Sequence, residues 1–129
     1  MRGKLLAAIG LALVAAAAWA GQVEWKAPAS AKGLKNPVAR ADALKIGRAL
    51  FEENCVICHG KSGKGDGEAA AAMNPKPKSL LAQGIQAQSD GELFWKITEG
   101  RDAMPPWKAY SEKERWSLVH FIRSLAGRK

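Results

Sequence analysis

Cys55-Val56-Ile57-Cys58-His59 places two thiols and an imidazole within five residues. C-x-x-C-H is the local signature of c-type haem attachment, and its spacing follows from the chemistry. Two intervening residues let the thiols reach vinyl groups on neighbouring pyrrole rings, and the next side chain offers an imidazole to the iron from one face. Cys55 and Cys58 are the only cysteines of the chain. C-x-x-C also occurs in thioredoxin-like redox pairs and in halves of zinc sites. A zinc site needs further Cys or His at suitable spacing, and with only His59 and His120 available, a histidine directly after Cys58 fits that pattern badly. A thioredoxin-like pair needs a strand before it, and the pattern leading to Cys55 is helical.

An iron held by one imidazole has a position to fill across the porphyrin, and an electron carrier closes it with a strong-field ligand. Met73, Met104 and His120 are the candidates. Met104 is best placed, in the irregular segment Arg101-Asp102-Ala103-Met104-Pro105-Pro106-Trp107, where two prolines stiffen the chain behind the sulfur. Met73 has little chain with which to reach the far face. His120 sits within a helical stripe, where a lone histidine is ordinarily a packing side chain. A thioether ligand favours ferrous iron and raises the potential relative to two imidazoles. The second ring nitrogen of His59 is expected to donate to a backbone carbonyl, with Pro75 or Pro77 as acceptor.

Helices must position these groups. Leu44, Gly47, Phe51 and Cys55 recur at three- and four-residue steps and predict a helix over 39–54. Gly47 within it costs up to about 1 kcal/mol relative to alanine, which suggests that another helix passes close by. Ser89 with Glu92 and Ser111 with Glu114 are capping-box pairs. The first opens a helix that ends at Gly100. The second opens a last helix with an apolar face of Leu118, Phe121, Ile122 and Leu125, stopping near Gly127. The glycine-rich stretch 60–67 matches no phosphate-binding pattern and is expected to turn sharply around the porphyrin edge. Residues 68–73 suit a brief helical turn ended by Pro75 and Pro77. No alternating strand pattern appears, so the chain is expected to be all-α, with long loops wrapped around a bound group.

Arg2 and Lys4 precede an apolar run over 5–18, and Ala18-Trp19-Ala20 supplies the small residues of a cleavage site. Residues 1–20 are therefore expected to be a secretory signal peptide, with retention as an anchor as the alternative. Residues 21–38, punctuated by Pro28, Gly33 and Pro37, are expected to form an arm on which Trp25 is the one large apolar group. Residues 39–129 form the expected domain. Export and covalent haem attachment support one another, and the expected compartment is the periplasm. The chain has 20 basic and 12 acidic residues, and loss of Arg2 and Lys4 with the leader leaves 18 against 12. Such a surface suits an acidic protein partner, or serves solubility alone. There is no nucleic-acid recognition motif or basic-aromatic stripe.

Taken together, Gly47-x-x-x-Phe51-x-x-x-Cys55-x-x-Cys58-His59-Gly60, Gly65-Asp66-Gly67, Ser89-Asp90-Gly91-Glu92-Leu93, Gly100 through Trp107, and the ending Trp116 to Leu125 resemble the class I cytochromes c. The likeness extends to small periplasmic bacterial members and covers about residues 36–126. It implies an all-α fold in which N- and C-terminal helices cross, Gly47 and Phe51 meeting Leu118 and Phe121, with loops wrapped around one covalently attached haem c. It implies Cys55 and Cys58 as thioether residues and His59 and Met104 as axial metal ligands. Gly67-Glu68 stands where many relatives carry Gly-Pro.

The expected function is that of a monomeric, non-enzymatic, periplasmic monohaem carrier. It would pass single electrons between redox protein partners, some with acidic docking surfaces, without a membrane span once the leader is removed. Alternatives are a dedicated electron-transfer subunit of a larger oxidoreductase, and a haem enzyme or gas sensor with a labile distal ligand.

Overall fold

Two amphipathic helices dominate the packing of the chain. The computed structural model describes residues 23–127; the expected signal peptide lies outside the described residues. In chain order the helices are α1 (Ala29–Lys32), α2 (Arg40–Asn54), α3 (Val56–His59), α4 (Gln83–Gln86), α5 (Asp90–Glu99) and α6 (Glu112–Leu125), with a 3-10 turn over Ala70–Ala72 between α3 and α4. Among the described residues the only strand-like feature is an isolated bridge between Arg101 and Met104. None of the described helices is long and apolar enough to cross a membrane.

The expected helices form where their patterns place them. Both capping boxes are made: the Glu92 backbone N–H donates to Ser89 Oγ at 3.2 Å, and the Glu92 carboxylate accepts from the Ser89 N–H at 2.7 Å. Ser111 and Glu114 repeat the arrangement at the start of α6. The Ser89 N–H stabilises the charged Glu92 carboxylate and lowers its pKa below the ordinary 4.5. A folded-state value below the unfolded one contributes stability above pH 4.5, lost as the pH falls through the folded value. Glu92→Gln should therefore lower stability at neutral pH modestly and remove part of its acid-side slope, so that variant and parent converge in acid, as read from unfolding midpoints along a pH series.

α2 crosses α6 at Gly47. A Cβ there would strike the Ser117 carbonyl and lie 2.9 Å from Phe121 Cβ, so the missing side chain is what lets the two backbones approach. One turn further on, the Phe51 and Phe121 rings meet at 5.1 Å between centroids. Around this contact Leu50, Leu93, Phe94, Ile97, Trp116, Leu118, Val119 and Ile122 complete one buried core, with Phe94 stacked on Trp116 at 4.0 Å. Gly47→Ala should cost about 1–3 kcal/mol through overpacking, since the obstructing atom is backbone. Denaturant titration of the haem-loaded protein would measure it.

Two helices, α1 and α4, arise where no apolar period predicts them. Each is a single turn of four residues, too short for period or capping signals, and each is held by its surroundings. Ala31 of α1 is buried. Gln86 of α4, 7% exposed, donates to the Leu80 and Ile122 carbonyls at 2.7 and 3.4 Å. Arg123, 8% exposed, binds across from α6 to Asp90, the first residue of α5, and to the carbonyls of Gln86 and Gln88. This buried polar tie joins α4, α5 and α6.

Candidate functional site

α3 carries the C-x-x-C-H residues directly after α2, with Cys55 as the hinge between the helices. A four-residue helix ends with carbonyls that its own turn cannot satisfy, and the glycine-rich stretch supplies donors. The N–H groups of Gly65, Gly67 and Ala69 donate to the carbonyls of His59, Cys58 and Ile57 at 2.8, 3.1 and 2.9 Å. The loop thus runs back along α3 and clamps it. Gly67 has to be glycine for this approach, because a Cβ would collide with the Ile57 carbonyl and lie 2.6 Å from the Cys58 carbonyl carbon. The glutamate that follows Gly67 leaves this clamp intact.

Cys55 and Cys58 are half-buried free thiols. Burial pushes the Cys55 thiol up to about 12, and the neighbouring Cys58 adds to the rise. Burial also lowers the basicity of His59. His59 Nδ1 is buried and has no hydrogen-bond partner, so the expected bond to a carbonyl of Pro75 or Pro77 is not made. The chain returning from the glycine loop instead lays the Pro77 carbonyl against Gly65. A buried polar atom without a partner costs about 1–3 kcal/mol. Two free thiols beside an imidazole with a buried, unpartnered nitrogen fit a covalently held, metal-bearing group.

Met104 lies in a tight turn between α5 and α6. The backbones of Arg101 and Met104 exchange hydrogen bonds, both at 2.9 Å, and Asp102 at the first central position has φ 53°. Asp is among the few residues that tolerate this region. Beyond the turn, the Trp107 N–H donates to the Ile97 carbonyl at 3.1 Å, and the Tyr110 hydroxyl meets Asn54 Oδ1 at 3.1 Å. Asn54 immediately precedes Cys55, so the segment carrying Met104 is tied to the start of the attachment motif. Met104 and Cys55 both pack, half-buried, against the hydrophobic core.

The other distal candidates lie elsewhere. His120 Nε2 is hydrogen-bonded with the Val38 carbonyl at 2.8 Å and serves to pack α6 against the chain before α2. Met73 follows the 3-10 turn, half-buried and outside the group packed on the core. The Tyr110–Asn54 tie and the Arg101–Met104 turn have no sequence period behind them; Asp102 two residues after Gly100 is the only local turn signal.

With that geometry in place, residues 42–122 match the family described as cytochrome c oxidase, cbb3-type, subunit III. The chain belongs to this family of c-type cytochrome domains. It is 34% identical to the cbb3-type cytochrome c oxidase subunit FixP of Sinorhizobium medicae, an alignment that covers 92% of this chain and 43% of that protein. The chain spans less than half the length of the curated relatives it matches. Among solved structures it is similar to the Kuenenia stuttgartiensis reducing HAO-like protein complex, with TM-score 0.63, 29% identity, and coverage of 72% of this chain and 47% of that one. Cytochrome cL from Hyphomicrobium denitrificans gives TM-score 0.53, 25% identity, and coverage of 70% and 52%. The cytochrome domain is therefore all-α with the class I cytochrome c fold, and its cofactor is covalently attached haem c.

Proposed function

We propose that this chain is a monomeric periplasmic monohaem cytochrome that carries single electrons between protein partners and catalyses no reaction itself. Cys55 and Cys58 form the two thioethers, and His59 and Met104 are the axial ligands. The observation that carries the reading is the seating of Met104 and of Cys55 and Val56, the start of the C-x-x-C-H segment, on one hydrophobic core, tied together through Tyr110 and Asn54. Haem supplies a one-electron Fe(III)/Fe(II) couple when bound. The residues supply rigidity and exclusion of water. The glycine-loop clamp keeps His59 fixed relative to both cysteines, and the closed turn at Arg101–Met104 limits movement of the thioether between oxidation states. Ile57, 51% exposed between the cysteines, offers apolar surface to an approaching partner. The excess of basic residues favours acidic partners.

A second reading, an electron-transfer subunit of a larger oxidoreductase, draws on the relatives, named as oxidase subunits and as part of a complex. Size-exclusion chromatography of the native protein separates the two. A monodisperse monomer supports the free carrier, and co-elution with a multisubunit oxidoreductase overturns it.

The absorption spectrum of the haem-loaded protein, in both oxidation states and with carbon monoxide, tests the ligation. A sulfur-to-iron band in the ferric form and no carbon monoxide shift in the ferrous form are expected. Rapid carbon monoxide binding without that band would overturn it and point to a sensor or enzyme.

A further inference from the structure

The chain ahead of α2 reaches the turn that bears Met104 by two separate contacts. Arg101, which exchanges both backbone hydrogen bonds with Met104, extends its guanidinium to the Val23 carbonyl at 3.0 Å and to Asp102 at 3.3 Å. Lys96, one turn earlier on α5, sets its ammonium over the Trp25 ring at 5.3 Å and donates to Gln88 Oε1 at 2.6 Å. Further along, α1 lies so close to α5 that a Cβ on Gly91 would strike the Ala31 carbonyl. Asn36 then donates to the Trp116 carbonyl at 3.0 Å, and Val38 meets His120 as described above. This segment therefore runs from the Met104 turn, past α5, to the core helix α6, and it is held at each step.

We propose that residues 23–38 act as a strap on the distal-ligand turn, and that Arg101 is a positioning residue that couples the strap to Met104. The proposal rests on the assignment of Met104 as distal ligand. The physical basis is local opening. A surface turn opens at a free energy set by the few contacts that hold it, and any foreign ligand for the iron must wait for that opening. The reciprocal backbone bonds of Arg101 and Met104 close the turn on itself. The guanidinium–Val23 bond and the Trp25–Lys96 contact fasten the closed turn to a second piece of chain. Removing either fastening raises the open population and thus the apparent affinity of a competing ligand, with no change in the chemistry of the iron ligands.

The test uses the haem-loaded full chain with imidazole as the competing ligand. Arg101→Ala and Trp25→Ala, which act on the strap at different points, should each raise the apparent affinity of ferric protein for imidazole by roughly tenfold, the scale of a typical coupling between sites. Both should weaken the sulfur-to-iron band on mild warming, and Arg101→Lys should recover part of the loss. Gly47→Ala, which loosens the α2–α6 crossing and touches neither the strap nor the Arg101–Met104 turn, controls for general loosening and should have a smaller effect than either. Imidazole affinity unchanged in both strap variants overturns the strap, as does a Gly47→Ala effect equal to theirs. Met104→Ala keeps the two readings apart. If it fails to abolish the band, the assignment of Met104 falls; if it abolishes the band while the strap variants behave as the parent, the strap alone falls.

Discussion

Met104→Ala is expected to retain covalently bound haem, lose the ferric sulfur-to-iron band and bind carbon monoxide readily in the ferrous state. Its reduction potential should fall on the order of 0.1–0.2 V, a fraction of the about 0.8 V spanned by axial-ligand choice. The direction follows from the softness of the thioether, which favours Fe(II). Retention follows from the separation of tasks within the fold. The thiols and His59 are held by α2, α3 and the glycine loop, whereas Met104 comes from a different turn, closed by its own backbone bonds. Equilibrium redox titration and carbon monoxide difference spectra would check both parts. An unchanged ferric spectrum would transfer the ligand role to another residue, and Met73 would be next, because His120 is engaged with Val38.

Arg123→Met is expected to destabilise the haem-loaded protein by about 3 kcal/mol, within the range for breaking one side of a buried ion pair. The guanidinium satisfies Asp90 Oδ1 at 2.9 Å and the carbonyls of Gln86 and Gln88 at 2.9 and 2.5 Å. Methionine fills much of the volume but leaves these acceptors without their donor. Asp90 is about one-third exposed, so water recovers part of the cost at that end. Arg123→Lys should rescue little, since one ammonium cannot span acceptors on two separate segments in the planar arrangement a guanidinium allows. Urea unfolding followed by far-ultraviolet circular dichroism would measure both variants. A loss under about 1 kcal/mol, the scale of an exposed ion pair, would make the tie dispensable.

The features legible in the sequence are those whose cause is local. Each capping box needs two side chains three residues apart, and both form between the expected partners. Gly47 announced a close crossing because a glycine inside a helix is otherwise costly, and Ser117 and Phe121 are what it makes room for. The C-x-x-C-H chemistry is likewise written in five consecutive residues. Features with distant causes were not legible. Arg123 reads as an ordinary basic residue at a helix C-terminus, and nothing near it signals burial against Gln86 and Asp90. The seating of residues 23–38 depends on Arg101, Lys96, Gly91 and Trp116, all more than fifty residues away. The expected proline carbonyl for His59 fails for a related reason. Its position depends on how the chain returns from the glycine loop, and Pro77 is directed to Gly65 instead.

The crossing of α2 with α6 has a consequence for biogenesis. The buried face of α2, made by Ala43, Gly47, Leu50 and Phe51, has its principal partner in the last helix of the domain. The Cys55–His59 segment is made more than fifty residues before Trp116 to Ile122 during synthesis. In that interval α2 has nothing to bury against, and contacts so distant in sequence close slowly. The α2–α6 contact is therefore expected to be among the last parts of the core to close.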